Sequence, residues 1–334
     1  MAFRVLGQIL RSKGRIAAKA QTVIHFALRG ICAIITLCKQ DIAMTSAATP
    51  DVTAFFDQPT NTITYLVRDP AGRACAVIDS VLDFDYASGR TDTKAADAVL
   101  THIQAHDLDL QWVLETHVHA DHLSAAPYLQ KARGGKIGIG AQITVVQDTF
   151  GRVFNESSRF ARDGSQFDAL FGEGDSLMIG QLRADVMHTP GHTPACLTYV
   201  IGDAAFVGDT LFMPDFGTAR CDFPGGSAAV MFDSVQRILA LPDATRIFVC
   251  HDYKAPGRDE FAWESTVAAQ KERNVHVGAG TDKSAFVALR EARDASLAMP
   301  RLIVPSLQIN MRAGHMPPAE ANGVTYLKVP LNGL

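Results

Sequence analysis

The stretch Val113–Leu129, VLETHVHADHLSAAPYL, gathers His117, His119, Asp121 and His122 into six consecutive positions of a 334-residue chain that holds 11 histidines. Residues two apart share a face in extended chain and diverge on a helix, so His117, His119 and Asp121 belong to a strand end or a loop. The run QWVLET before them is apolar and short enough for a buried strand, and LSAAPYLQKA after them can open a helix. The cluster therefore stands on a strand-to-helix turn, and in α/β folds ligands and metals collect at the carboxyl ends of strands.

The same arrangement recurs downstream. LRADVMHTPGHTPAC puts His192 after a Pro190-Gly191 turn, and Pro194 keeps the segment out of helix. Asp209 follows the apolar run AAFVG, and His251 follows RIFVC. Each residue alone reads as structural or as a cap. Four strand ends that all deliver His or carboxylate donors, none of them Cys, point instead to a metal centre. His188 lacks that context and reads as structural.

Outside these motifs the chain alternates short strands and helices. TITYLVRD and ACAVIDS form a hairpin through Pro70-Ala71-Gly72. TKAADAVLTHIQAHDL puts Ala96, Val99, Leu100 and Ile103 on one helical face, with His102 and His106 at the surface. Two β-rich halves, each closed by helices, follow from this order. A formal net charge of -4 gives no basic field for nucleic acid. Six Cys (32, 38, 75, 196, 221, 250) lack paired C-x-x-C spacing and read as reduced thiols, Cys75, Cys196 and Cys250 as core residues.

Residues 1–43 carry seven Lys/Arg against one acid, Asp41. A targeting segment, a membrane-associated helix and an extension upstream of a start at Met44 compete. The stretch TVIHFALRGICAIITLC is short for a membrane span and is interrupted by Arg29. The expectation is a dispensable basic extension at 1–43, a catalytic domain at 44–334 and a cytoplasmic protein, or a mitochondrial matrix one if the extension is a presequence.

THVHADH, TPGHTP, FVGDT and CHDY together resemble, in order and spacing, the ligand motifs of the metallo-β-lactamase superfamily. Within it the chain is similar to the persulfide dioxygenases and their bacterial β-lactamase-hydrolase-like relatives. The narrower match is carried by Ala120, by SAAPYLQ, by VLDFDYASGRTD at 81–92, by Asp252 in CHDY and by the tail NMRAGHMPPAEANGVTYLKVPLN. Glyoxalase II, the competing branch, typically has Trp where Ala120 stands and Glu where Asp252 stands. The resemblance implies an α/β fold, the αββα sandwich, with the site where the sheets meet.

It also implies a single Fe²⁺ on His117, His192 and Asp209, with His119, Asp121, His122 and His251 either orienting those ligands or holding a second metal. The ligand types alone allow two Zn²⁺ as well. Asp79 is expected to brace the site by hydrogen bonds. Asp121 and Tyr253 are expected to act in catalysis, and Arg220 and Tyr253 to contact the substrate. The implied reaction oxidises glutathione persulfide, or a related thiol persulfide, with O₂ to sulfite; a dinuclear zinc thioester hydrolase is the alternative. A sulfurtransferase of rhodanese type and a homo-oligomeric state are further expectations. One departure stands out: where the family's vertebrate-type members have N-P-R, this chain has Asn274, Val275 and His276, so the Arg that would grip glutathione is missing there.

Overall fold

A computed structural model describes residues 49–333. The extension at 1–43, with Cys32 and Cys38, lies outside the described residues. The first half runs β1 (Asp51–Asp57), β2 (Thr62–Arg68), β3 (Ala74–Ile78), β4 (Val81–Asp85), β5 (Arg90–Asp92), α1 (Lys94–Ala105), β6 (Asp109–Leu114), β7 (Leu123–Ser124), α2 (Ala126–Arg133), β8 (Lys136–Gly140), α3 (Ile143–Val153) and β9 (Ala169–Phe171). The second half runs β10 (Ser176–Ile179), β11 (Leu182–His188), β12 (Leu197–Ile201), β13 (Ala204–Phe206), α4 (Ala228–Leu239), β14 (Arg246–Phe248), β15 (Glu264–Thr266), α5 (Val267–Arg273), α6 (Lys283–Asp294) and α7 (Ile303–Asn310).

Each half builds one six-stranded sheet, in the orders β1-β2-β3-β6-β8-β9 and β10-β11-β12-β13-β14-β15. The pairs β3–β6, β6–β8, β8–β9 and β13–β14 are parallel. Parallel strands need crossovers; α1, α2 and α4 supply three of them and cover the outer faces. β4 and β5 form a hairpin beside the first sheet, and β4 also pairs with β7.

Three apolar layers hold this together. Ile63, Tyr65, Ile78, Leu197, Tyr199 and Phe206 fill the space between the sheets. Val77, Val99, Ile103, Val113, Leu129 and Phe150 join the first sheet to its helices. Met231, Val235, Ile247, Val249 and Phe286 do the same for the second. The architecture is αββα, as the resemblance implies. Each such aliphatic or aromatic side chain contributes about 1.5–3 kcal/mol by leaving water. Tyr65 locks the two sheets together through its hydroxyl, which donates to the carbonyl of Val249 at 2.6 Å.

The α1 face is Ala96, Val99 and Ile103, all buried, while His106 is exposed and His102 sits edge-on to Phe55. Among the described residues, no helix is long and apolar enough to cross a membrane.

Candidate metal centre

Four loops meet at one edge of the sandwich: 115–122 after β6, 189–193 after β11, the single turn Gly208–Thr210 after β13, and 250–252 after β14. Two glycines allow the approach. Gly191 has φ 143°, and a Cβ there would stand 2.4 Å from Cα of Met231 on α4. Gly208 has φ 51°, and its Cβ would lie 2.6 Å from the Thr116 hydroxyl. A larger residue at either place would push a ligand loop outward.

His117, His119, His122, His192, Asp209 and His251 are all buried, and Asp121 is partly buried. His117, His192 and Asp209 present donor atoms within 4.8 Å of one another, and so do His119, Asp121 and His251. His192 Nε2 lies 3.6 Å, and His117 Nε2 4.0 Å, from Asp209 Oδ2. His251 Nε2 stands 3.2 Å from Asp209 Oδ1 and 3.3 Å from Asp121 Oδ2.

The hydrogen bonds behind the imidazoles set their tautomers. Thr116 donates its hydroxyl to Asp79 Oδ2 at 2.9 Å, so it accepts from His117 Nδ1 at 3.0 Å and leaves a lone pair on Nε2. The carbonyl of Arg220 accepts from His192 Nδ1 at 2.8 Å, with the same result. His122 Nδ1 donates to the Leu123 carbonyl at 3.3 Å. His119 is reversed: its Nε2 donates to Asp79 Oδ1 at 3.0 Å, which turns Nδ1 inward. His117 Nε2, His119 Nδ1, Asp121 Oδ2, His122 Nε2, Asp209 Oδ1 and His251 Nε2 are buried without a hydrogen-bond partner. Buried polar atoms left unpaired in such number are costly unless a cation meets them, so the donor set fits a metal centre.

Charge in the site is divided unevenly. Burial, then the charge on His119, pushes His117 well below the ordinary histidine range. Burial, then His119, pushes His122 down to about 3. His251 goes the other way: burial opposes its charge, but Asp121 and Asp209 raise it to about 9. His119 is likewise raised against burial by Asp79 and Glu115. Asp209, despite burial, is held well below the carboxylate range by His251, His117 and His192. Metal binding at protonated imidazoles releases protons.

Asp79 braces the site as expected. It occupies the left-handed region at φ 53°, which Asp tolerates better than most residues, and accepts from the Thr116 amide at 2.7 Å. Two further bracing residues are not among those expected from the sequence. Glu115 is buried beneath His119, 3.5 Å from its Nε2, and accepts from the Ser124 hydroxyl at 2.5 Å. Asn310, at the end of α7, donates to the carbonyls of His119 at 2.9 Å and His122 at 2.8 Å. A strand-end acid beside the histidines was the available clue to Glu115. Asn310 opens the tail NMRAGHMPPAEANGVTYLKVPLN, which carries the family resemblance but no local sign of a role at the site.

A cavity of about 810 Å³ opens over His192, Asp209 and Asp121 and is lined by Ala120, Phe212, Phe216, Phe223, Arg220 and Tyr253. Tyr253, 43% exposed, stacks on the His251 ring at 5.7 Å. Arg220 borders the cavity, yet its Nε and Nη2 each bond Asp222 at 2.6 Å and its Nη1 bonds the Ala298 carbonyl at 2.7 Å. Asp252 is buried away from the donors, in a bidentate pair with Arg258 at 2.6 and 2.7 Å. His276 is buried too, and its Nδ1 accepts from the Thr218 amide at 3.0 Å. His188 bonds the Pro194 carbonyl at 2.8 Å. Cys75, Cys196, Cys221 and Cys250 are buried free thiols.

An αββα sandwich with a His/Asp centre between its sheets defines a metallo-β-lactamase-type metalloprotein. The metallo-β-lactamase superfamily model matches residues 58–251, and the chain belongs to that superfamily. A β-lactamase hydrolase-like protein of Agrobacterium fabrum is 54% identical over 289 residues, covering 86% of this chain; the chain spans 66% of that protein's length. Glyoxylase B2 of Dictyostelium discoideum is 46% identical, with 80% of this chain and 92% of that one covered. The mitochondrial persulfide dioxygenase ETHE1 of Mus musculus is 29% identical, over 79% of this chain and 88% of that one. The crystal structure of ETHE1 from Myxococcus xanthus superposes with a TM-score of 0.63 at 31% identity, covering 79% of this chain and 100% of that one.

Proposed function

We propose that this chain is a persulfide dioxygenase: thiol persulfide, O₂ and water yield the thiol and sulfite, with two protons released. The observation that carries the reading is the convergence of His117, His192 and Asp209 under the open cavity. Two imidazoles and one carboxylate on one face suit a single ferrous iron. Bound there, iron would supply the open positions at which the terminal sulfur and O₂ meet. The mouse and Myxococcus relatives support the same reading through their names.

The chain's own residues do the remaining work. Thr116 and the Arg220 carbonyl hold His117 and His192 in the ligating tautomer. Phe212, Phe216 and Phe223 give the cavity apolar walls that keep water from the reacting sulfur. Ala120 leaves room beside Asp121 for the persulfide, and the Tyr253 ring closes the side next to His251. Asp121 and His251, 3.3 Å apart, form a pair able to hold or pass a proton beside Asp209. Loading of the thiol carrier falls to a sulfurtransferase, the rhodanese type being the class we favour.

A second reading, a dinuclear zinc thioester hydrolase, draws on the complete second donor group His119, Asp121 and His251 and on the name of the Dictyostelium relative. An oxygen electrode separates the two. With protein purified without added metal, we expect persulfide-dependent O₂ uptake that disappears on chelation and returns with Fe²⁺ but not Zn²⁺. Hydrolysis of S-lactoylglutathione by the zinc-loaded protein under anaerobic conditions, with no persulfide oxidation, would replace the first reading by the second.

A further inference from the structure

The cavity rim raises a question that the metal ligands leave open: which group holds the carrier of the sulfur. Position 276, where the family motif has Arg, is a buried His bonded to the Thr218 amide, and it does not line the cavity. Arg220 spends its Nε and both terminal nitrogens on Asp222 and the Ala298 carbonyl. Arg290 is equally committed, to Asp294 and the Thr218 carbonyl. Lys94 is paired with Asp92 at 2.6 Å.

Three other guanidinium groups line the cavity, Arg90, Arg293 and Arg301, and none has a carboxylate oxygen within 4.0 Å among the described residues. Arg90 lies on the β4–β5 hairpin opposite Asp85, among Asp83 and Asp92. Hydrogen bonds from Ser88 and Ala87, and last the charge of Arg301, hold the Asp85 carboxyl below its usual range, which puts Arg301 on the same acidic side. Acidic neighbours make that side of the opening a poor place for an anion. Arg293, on the last turn of α6, has Arg290 one turn before it, and the neighbouring acid, Asp294, is already paired with Arg290.

Arg293 is also connected to the metal ligands by a row of rings. Its guanidinium lies over Phe216 at 5.6 Å; Phe216 meets Tyr253 at 5.3 Å; Tyr253 stacks on His251 at 5.7 Å. An elongated thiol lying across Phe216 and Tyr253 would have its sulfur at the metal ligands and its far end at Arg293.

We propose that Arg293 grips a carboxylate of the thiol carrier, making this chain selective for acidic, peptide-like thiol persulfides over uncharged ones. The inference rests on the persulfide reading above. A guanidinium already planar on an aromatic face has its donors free for a bidentate carboxylate, which a neutral carrier lacks.

The experiment compares wild type, Arg293→Ala, Arg293→Lys and Arg220→Ala in O₂ uptake with glutathione persulfide and with the persulfide of 2-mercaptoethanol. Isothermal titration with glutathione itself runs in parallel. A lost charge-assisted hydrogen bond at an exposed site corresponds to about a tenfold change in affinity. Arg293→Ala should therefore raise KM for glutathione persulfide and Kd for glutathione about tenfold, with kcat and Tm little changed and the uncharged persulfide handled as by wild type. Arg293→Lys should recover part of the loss.

Wild-type constants for glutathione and its persulfide in Arg293→Ala would overturn the inference, and so would a tenfold loss confined to Arg220→Ala. A wild type that consumes no O₂ with any persulfide, yet binds glutathione about tenfold more tightly than Arg293→Ala, would refute the persulfide reading and leave the carboxylate grip standing.

Discussion

His117, His192 and Asp209 on one side, and His119, Asp121, His122 and His251 on the other, are built from the same residue types and differ in what stands behind one imidazole, His119. The first group's imidazoles lean on neutral partners, the Thr116 hydroxyl and the Arg220 carbonyl. In the second, His122 and His251 also lean on neutral oxygens, the Leu123 and Asn61 carbonyls, and His119 alone is backed by carboxylates, Asp79 and Glu115. A neutral acceptor fixes a tautomer and leaves a bare lone pair for a cation. A carboxylate stabilises the imidazolium, so a metal there must first displace a proton. The backing group thus sets His119 apart within one cluster of donors: the other imidazoles present a lone pair that is ready, and His119 is held in reserve.

The largest effect that tests this division comes from the ligands themselves. His192→Ala and Asp209→Ala should each lose bound iron and all persulfide oxidation, because a three-residue face cannot spare a member. His251→Ala should keep iron and lose part of the rate. Metal analysis of the three purified variants decides: iron absent from His251→Ala as well would mean that the two groups bind as one dinuclear centre.

Weakening the backing comes next. Asp79→Asn keeps the size of the side chain but removes the charge that faces His119. Removing an outer partner of this kind costs about 10- to 100-fold in metal affinity. A chelator titration should therefore show weaker retention of metal than in wild type, with the fold intact by circular dichroism. Unchanged retention would show that the Asp79 charge, which backs His119 directly and His117 through Thr116, contributes nothing to holding the metal.

A smaller effect concerns pH. Burial, then the charges of Arg290 and Arg293, lowers His276 to about 4. Its folded value lies below the ordinary one of about 6.5, so the unfolded chain takes up a proton that the folded chain refuses. Stability from this site is complete above about pH 6.5 and is lost as pH falls toward 4. The Tm should drop over that window, and His276→Gln should flatten the part of the slope due to this residue. Parallel slopes in both proteins would place the pH sensitivity in the metal-site histidines instead.

The smallest effect is expected at Cys250, whose thiol lies within 4.8 Å of donor atoms of His119 and His122. Burial, then Asp79 and Asp209, keeps it protonated well above the usual thiol range. Cys250→Ala should leave metal stoichiometry unchanged and cost about 1 kcal/mol of stability, the usual size for a point change. A cobalt-substituted protein whose spectrum loses a sulfur-to-metal band in this variant would make Cys250 a ligand and the second donor group a metal site.

The strand-end placement of His117, His192, Asp209 and His251 could be read from the chain because each is announced locally, by an apolar run and a turn. The αββα order was legible for the same reason, through alternating short strands and an amphipathic α1. Arg220 shows where such reading stops. Its position in the family motif pointed to substrate, but its free donors are decided by Asp222, two residues on, and by the Ala298 carbonyl, 78 residues away.

By itself, then, the sequence determined which donor atoms exist and at which strand ends they emerge, since periodicity and turn chemistry act over a few residues. Only the tertiary structure decided what stands behind each donor. Asn310 reaches the His119 carbonyl across 191 positions, Asp79 reaches His119 across 40, and Arg293 on α6 meets the Phe216 ring of a distant loop. Hydrogen bonds and charges act through space, and folding alone brings those partners within range.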